Sequence, residues 1–286
     1  PVYFLVLSSV INIALDFILI LYVKMGVAGA GVATVVSQLI AGVGCTIYMY
    51  KKFDILKGTK QEKVISKKHT SNLCFIGVPM GLQYSITAIG STILQAAVNT
   101  LGSTYVAAMT AGSKMFNFTC CPFDALGSTM ATYAGQNVGA AKIKRLGQGV
   151  RSAMIIGSVY SVLSLIALYF TTDYIALLFV NASETTIIAL TRQFILASAC
   201  FYIPLTGVNV VRFCIQGMGF SVFAISAGIL EMIGRAFAAI ILIPNIGFMG
   251  ACLASPIAWI AADAFLFPAF IHCAKKLNAR HNIKSN

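Results

Sequence analysis

Apolar positions run along this chain in blocks too long and too continuous for a soluble fold. Eight blocks stand out, at about 2–23, 29–50, 72–99, 104–136, 150–171, 187–211, 220–243 and 249–273. Each is near or above the ~20 apolar residues that an α-helix needs to cross a bilayer. A transmembrane β-barrel would instead show short segments of alternating polarity. From Thr70 to Ser113 there is no Asp, Glu, Lys or Arg at all. The pattern predicts an all-α polytopic membrane protein with about eight transmembrane helices.

The polar positions set the organisation. The one long polar connection, 51–68, carries Lys51, Lys52, Lys57, Lys60, Lys63, Lys67 and Lys68. It divides the chain into a first helix pair (1–50), a basic cytoplasmic linker (51–71), a six-helix group (72–275) and a cytoplasmic tail (276–286). Lys142, Lys144, Arg145, Arg151, Arg212, Lys275, Lys276, Arg280 and Lys284 fall on the linker's side, whereas the opposite loops hold Lys24 alone. Basic loops stay in the cytoplasm, so the C-terminus is expected there, and eight spans return the start of the chain to the same side.

Composition sharpens this. Of 286 residues, 58% are hydrophobic and 10% charged, with a mean hydropathy of +0.87; a soluble domain carries roughly 25% charge. A net charge of +12 would suit nucleic acid. Here the lysines cluster between spans, so the bilayer is the expected partner and nucleic acid is not. The eight cysteines form no CxxC pair, which leaves no zinc or disulfide framework in view. His69, His272 and His281 lie at span ends, and no hydrolase, metalloprotease or P-loop pattern occurs. An enzyme is not expected.

Two segments match without gaps: 26–42 (GVAGAGVATVVSQLIAG) and 247–263 (GFMGACLASPIAWIAAD). The preceding spans carry Asn12 with Asp16 and Glu231 with Arg235, both polar pairs at i,i+4 on one helix face. Aligning these pairs makes the second connection two residues longer. Helix pair 1–2 therefore resembles pair 7–8 in parallel orientation, as in transporters built from parallel repeats. A repeat unit of six helices follows, with four N-terminal spans expected beyond this chain.

Polar residues inside the membrane are costly and must face protein or water. Asp16 is the only charge in its span. With Asn12 one turn away, and Thr34 on the next helix as a third oxygen, it can hold Na⁺ or carry a proton. Glu231 and Arg235 are read as an ion pair that Asp263 could join. Gln83, Gln95 and Asn99, in the charge-free third span, line a cavity or bond neighbouring helices. Four spans carry internal proline, at Pro79, Pro122, Pro204, and Pro256 with Pro268. Proline breaks are tolerated where neighbouring protein or a water-filled cavity satisfies the backbone.

Gly77-Val-Pro79-Met-Gly81-Leu-Gln83, Tyr133-Ala-Gly-Gln-Asn-Val-Gly-Ala-Ala-Lys142, Gln216-Gly-Met-Gly219, Glu231-Met-Ile-Gly-Arg235 and Ala254-Ser-Pro-Ile-Ala-Trp-Ile-Ala-Ala-Asp263 together resemble the multidrug and toxic compound extrusion (MATE) family, in its DinF-like bacterial branch. The resemblance covers essentially the whole chain, as helices five to twelve of a twelve-helix, two-lobe fold. It implies an antiporter of the bacterial inner membrane that exports organic cations, drugs or other amphipathic compounds by alternating access. Na⁺ or H⁺ uptake would drive it, with no organic cofactor. A monomer is expected. In similar proteins an N-lobe cation site uses an Asn and an Asp four apart, a Thr on the next helix, and an Asp on helix one; Asn12, Asp16 and Thr34 match the first three. An acidic pair that some members use in the C-lobe has no counterpart here.

The alternative keeps the fold and changes the cargo, to lipid-linked oligosaccharides. Such flippases line their cavity with several cations, whereas the interior charges here are few and mixed.

Overall fold

The computed structural model describes residues 2–53 and 66–285, all helix and short turns, with no strand among them. Most of the predicted linker, 54–65, lies outside the described residues. The chain separates into two compact units, Pro1–Thr70 and Ser71–Asn286.

In the first unit, α1 (Val2–Asp16) widens into a π-helical turn, Phe17–Tyr22, and α2 (Val27–Lys52) follows. Alpha2 buries Gly29, Ala33, Ser37 and Ala41. That is a stripe of small residues at i,i+4, the spacing that lets membrane helices approach closely.

The second unit contains α3 (Lys67–Asn99, from its fifth residue onward), α4 (Ser103–Gly139), α5 (Lys144–Ala176), α6 (Thr185–Ala199) and α7 (Tyr202–Gly217). Then come α8 (Ser221–Phe237), a second π-helical turn (Ala238–Leu242), α9 (Ile243–Ile246) and α10 (Phe248–Ser285). All eight predicted spans fall on helix. Six are long and apolar enough to cross a bilayer, and α6 with α7 makes a seventh, bent by 52°. The bend lies just before Pro204, third residue of α7, where a first-turn proline needs no donor. Pro79, Pro122, Pro256 and Pro268 lie inside continuous helices. Alpha4 does not pass the same hydropathy test. It is the central helix, packed on α5, α6 and α7, so protein replaces lipid around much of it.

The middle of α5 packs inside-out relative to a soluble protein, although the helix also buries Leu146, Val150 and Leu168 toward its ends. Alpha5 buries Ala153, Gly157, Ser161 and Ser164, while Ile155, Ile156, Val159, Leu163 and Ile166 point outward. Lipid is as apolar as isoleucine, so large side chains gain nothing from burial, and close backbone approach holds the helices together. One close approach is between α4 and α7. A Cβ on Gly217 would lie 2.9 Å from Ala131 Cα and closer still to its carbonyl oxygen. Because backbone would have to move, Gly217→Ala should cost at least ~1–3 kcal/mol. Gly147→Ala, at a helical position with nothing within 4 Å, should be neutral or stabilising. Thermal unfolding of both variants in detergent checks the contrast.

The internal repeat is present in the backbone. Each hairpin has a π-helical turn, a reversal at a glycine, and a long helix. Gly26 has φ 57° and ψ −137°, and Gly247 has φ 60° and ψ −139°, a conformation essentially reserved for glycine. Both π turns begin nine residues before their glycine. The register corrects the expected pairing of polar residues. Asp16 directly precedes its π turn, while Arg235 lies two residues further back from the second. Two residues rotate a side chain by ~200° about a helix. The backbone repeat therefore needs no gap, and Asn12–Asp16 and Glu231–Arg235 are not equivalent positions.

Candidate functional site

In the first unit, Asn12 Nδ2 on α1 donates to Thr34 Oγ1 on α2 at 3.4 Å. The Thr34 hydroxyl spends its own proton on the Ala30 carbonyl at 2.9 Å, which leaves its lone pairs toward Asn12. Asp16 sits one turn beyond Asn12, at the start of the π turn, and its Oδ1 is buried with no hydrogen-bond partner among the described residues. The structure thus brings Asn12 and Thr34 together and leaves Asp16 Oδ1 bonded to neither. A buried carboxylate oxygen without a donor is costly; a proton or a small cation relieves it. Helices with π turns often carry function, because the wide turn disturbs the regular ladder.

The second unit holds a denser cluster, around a cavity of about 370 Å³ between α4, α7, α8 and α10. Glu231 is its centre. One carboxylate oxygen pairs with Arg212, and the other lies 3.5 Å from Arg235 Nη2. Arg235 also donates to the Thr87 carbonyl at 3.4 Å. All three side chains are less than a tenth exposed. Asp124 opens onto the same cavity, and Phe116 stacks on Trp259 along its wall at 5.9 Å. The expected Glu231–Arg235 pair is therefore present as the weaker half of an Arg–Glu–Arg triad.

Several expectations change here. Arg212 is not a cytoplasmic loop charge: α7 continues past it to Gly217, and burial holds it on Glu231. The sequence signal was its setting, between Val210-Val211 and Phe213-Cys214. Asp124, itself exposed, is among the residues that line this cavity. Asp263 makes no ion pair with Arg235 among the described residues. Its carboxylate instead packs on Gly207 of α7, where a Cβ would lie 2.5 Å from Oδ2, and its Oδ1 is buried without a partner. Gln83 is buried and accepts from Gln216 Nε2 at 2.6 Å, tying α3 to α7. Gln95 Nε2 donates to Asn99 Oδ1 at 3.0 Å within α3, so these two satisfy each other. Lys114 lies 5.5 Å from the Phe179 ring centroid and lines a different cavity together with Glu184.

With the geometry in place, the likeness to known proteins is informative. The family model described as MatE matches residues 79–245. The "Probable multidrug resistance protein YoeA" of Bacillus subtilis is 28% identical over 66% of this chain and 42% of its own length. The "Probable multidrug resistance protein YpnP" of the same organism is 30% identical over 74% of this chain and 46% of its own. The chain thus spans less than half the length of these curated relatives. A solved structure, the outward-facing conformation of a multidrug resistance MATE family transporter of the MOP superfamily, matches 97% of this chain and 62% of its own with a TM-score of 0.87. At 19% identity, that likeness speaks for the fold.

Proposed function

Since this chain belongs to the MatE family, whose members are membrane transporters rather than enzymes, we propose that it works as part of a cation-coupled antiporter that exports organic cations, drugs or other amphipathic small molecules. The coupling ion, Na⁺ or H⁺, is taken up at Asp16, with Asn12 and Thr34 supplying neighbouring oxygens. The observation that carries this reading is the buried oxygen of Asp16, without a partner among the described residues and one turn from the Asn12–Thr34 contact. An ion drives export only through a difference in its affinity between the outward- and inward-facing states. A carboxylate with no counter-charge among the described residues is free to supply that difference. The names of the Bacillus relatives support drug-like cargo and a bacterial inner membrane, and the one-sided basic loops support a cytoplasmic C-terminus. Both buried arginines of the second unit share Glu231. That leaves little free positive charge for a polyanionic lipid-linked sugar, and favours small-molecule export.

The test is transport by the whole protein in proteoliposomes loaded with a fluorescent organic cation. An imposed Na⁺ or proton gradient should accelerate dye movement well above its rate without a gradient. Dye movement indifferent to both gradients would overturn the proposal.

A further inference from the structure

Alpha4 and α5 form an antiparallel hairpin around the turn at 140–143, with Ala141 at φ 57°. The helices touch at three levels. Near the turn, the Tyr133 ring covers Gly149, and its hydroxyl donates to the Arg145 carbonyl at 3.1 Å. Further along, Leu126 lies against Gly157. Beyond that, the Tyr160 hydroxyl donates to the Thr119 carbonyl at 2.9 Å. On the outer side of these contacts lie two cavities, of about 450 and about 290 Å³, which share Leu126, Thr129 and Ile156. They form one continuous groove.

The groove has a polar head and an apolar tail. The end near the turn is lined by Arg145, Gln148 and Ser152, beside the exposed Lys142 and Lys144. The floor then becomes Met130, Leu126 and Ile156, and ends at Pro122. Ile156 is 61% exposed, and Pro122, Ala125 and Thr129 are also open to the surroundings. From Tyr133 to Pro122 the helix advances ~16 Å at 1.5 Å per residue. That is about half the ~30 Å hydrocarbon core, the depth of one leaflet. Basic residues at this end place it on the cytoplasmic side, the leaflet whose anionic lipids attract Lys and Arg clusters at the surface.

We propose that this groove binds an anionic glycerophospholipid of the cytoplasmic leaflet, its phosphate held by Arg145 and Gln148 and one acyl chain laid along Met130, Leu126 and Ile156. Charge selects the headgroup, and groove length selects a molecule that stands upright in one leaflet. The site is separate from the interior charge cluster and from Asp16, and it does not depend on which cargo or coupling ion the protein uses.

The experiment is lipid titration of the purified whole protein in detergent, followed by native mass spectrometry and thermal unfolding. Phosphatidylglycerol, phosphatidylcholine and inorganic phosphate are the probes. Phosphatidylglycerol should remain bound and raise the unfolding temperature, phosphatidylcholine should bind about fivefold or more weakly, and inorganic phosphate should do neither. Arg145→Gln should weaken phosphatidylglycerol about fivefold while leaving phosphatidylcholine unchanged. Thr129→Trp, which fills the groove, should weaken both. Each variant is compared at its own lipid-free unfolding temperature, so a loss of fold is visible as such; if Thr129→Trp does not fold, Arg145→Gln decides alone. Equal affinity for the two lipids, an Arg145→Gln protein indistinguishable from the native one, a folded Thr129→Trp protein that retains phosphatidylglycerol, or stabilisation by phosphate alone would each overturn the assignment.

Discussion

Asp16→Asn should abolish ion-driven export and leave the protein folded in the membrane. The substitution is isosteric and removes the one formal charge in α1. The buried Oδ1 has no donor among the described residues, so no hydrogen bond seen there is forfeited. A neutral amide is also cheaper to hold in a low-dielectric site than an unpaired carboxylate. Unfolding temperature should therefore stay level or rise. Gradient-driven transport should fall to the rate seen without a gradient, because an amide binds neither a proton near neutral pH nor a cation with full Coulomb attraction. Asn12→Ala and Thr34→Val should cost less, since the contact they share is long, at 3.4 Å, and each removes only a dipole. Gradient-driven dye export in proteoliposomes, normalised to inserted protein, is the readout. An Asp16→Asn protein that still exports at the native rate in the presence of either gradient would remove Asp16 from the mechanism.

Glu231→Gln carries the largest expected effect on stability. Two guanidinium groups, both less than a tenth exposed, share this single carboxylate. Taking the charge away leaves two like charges buried without an anion between them. Breaking a buried ion pair from one side costs ~3–5 kcal/mol. Arg235→Gln should be milder, because its contact is the longer one and Glu231 keeps Arg212. The triple variant Arg212→Met/Glu231→Leu/Arg235→Met should recover much of the loss of Glu231→Gln, since apolar replacement of a whole buried ionic group is often near neutral. Chemical unfolding of the four proteins in one detergent tests the order. If Glu231→Gln stays within ~0.5 kcal/mol of the native protein, the size of an ordinary surface change, the triad does not hold the unit together.

How far the sequence could be read follows from what each feature depends on. The spans were legible because crossing a bilayer is a requirement on length and hydropathy alone. Gly26 and Gly247 were legible as a repeat because a backbone conformation open only to glycine leaves a mark at a single position. The π turns left no such mark: Phe17–Tyr22 and Ala238–Leu242 are ordinary apolar runs, and an extra residue per turn is a matter of packing. The same gap misaligned the polar pairs, since Asn12–Asp16 and Glu231–Arg235 look alike until the wide turns fix their register. Arg212 was misplaced for a related reason. Its position near a span end suggested a loop charge, and only the passage of α7 beside α8 shows that Glu231 faces it. Asp263 was visible as a candidate partner of the Glu231–Arg235 pair, but its seat against Gly207 depends on helices brought together from distant parts of the chain.

The packing of α5 has a consequence for how this architecture diverges. Its inner seam asks only that Ala153, Gly157, Ser161 and Ser164 stay slight, and its outer row asks only that Ile155, Ile156, Val159 and Leu163 stay oily. Apart from Gly157, where a Cβ would overlap Thr206 Cγ2, neither demand names a particular amino acid. Mutational drift can therefore rewrite nearly every letter of such a helix without moving its axis, and that is how a chain sharing 19% of its residues with a solved relative can trace it at a TM-score of 0.87.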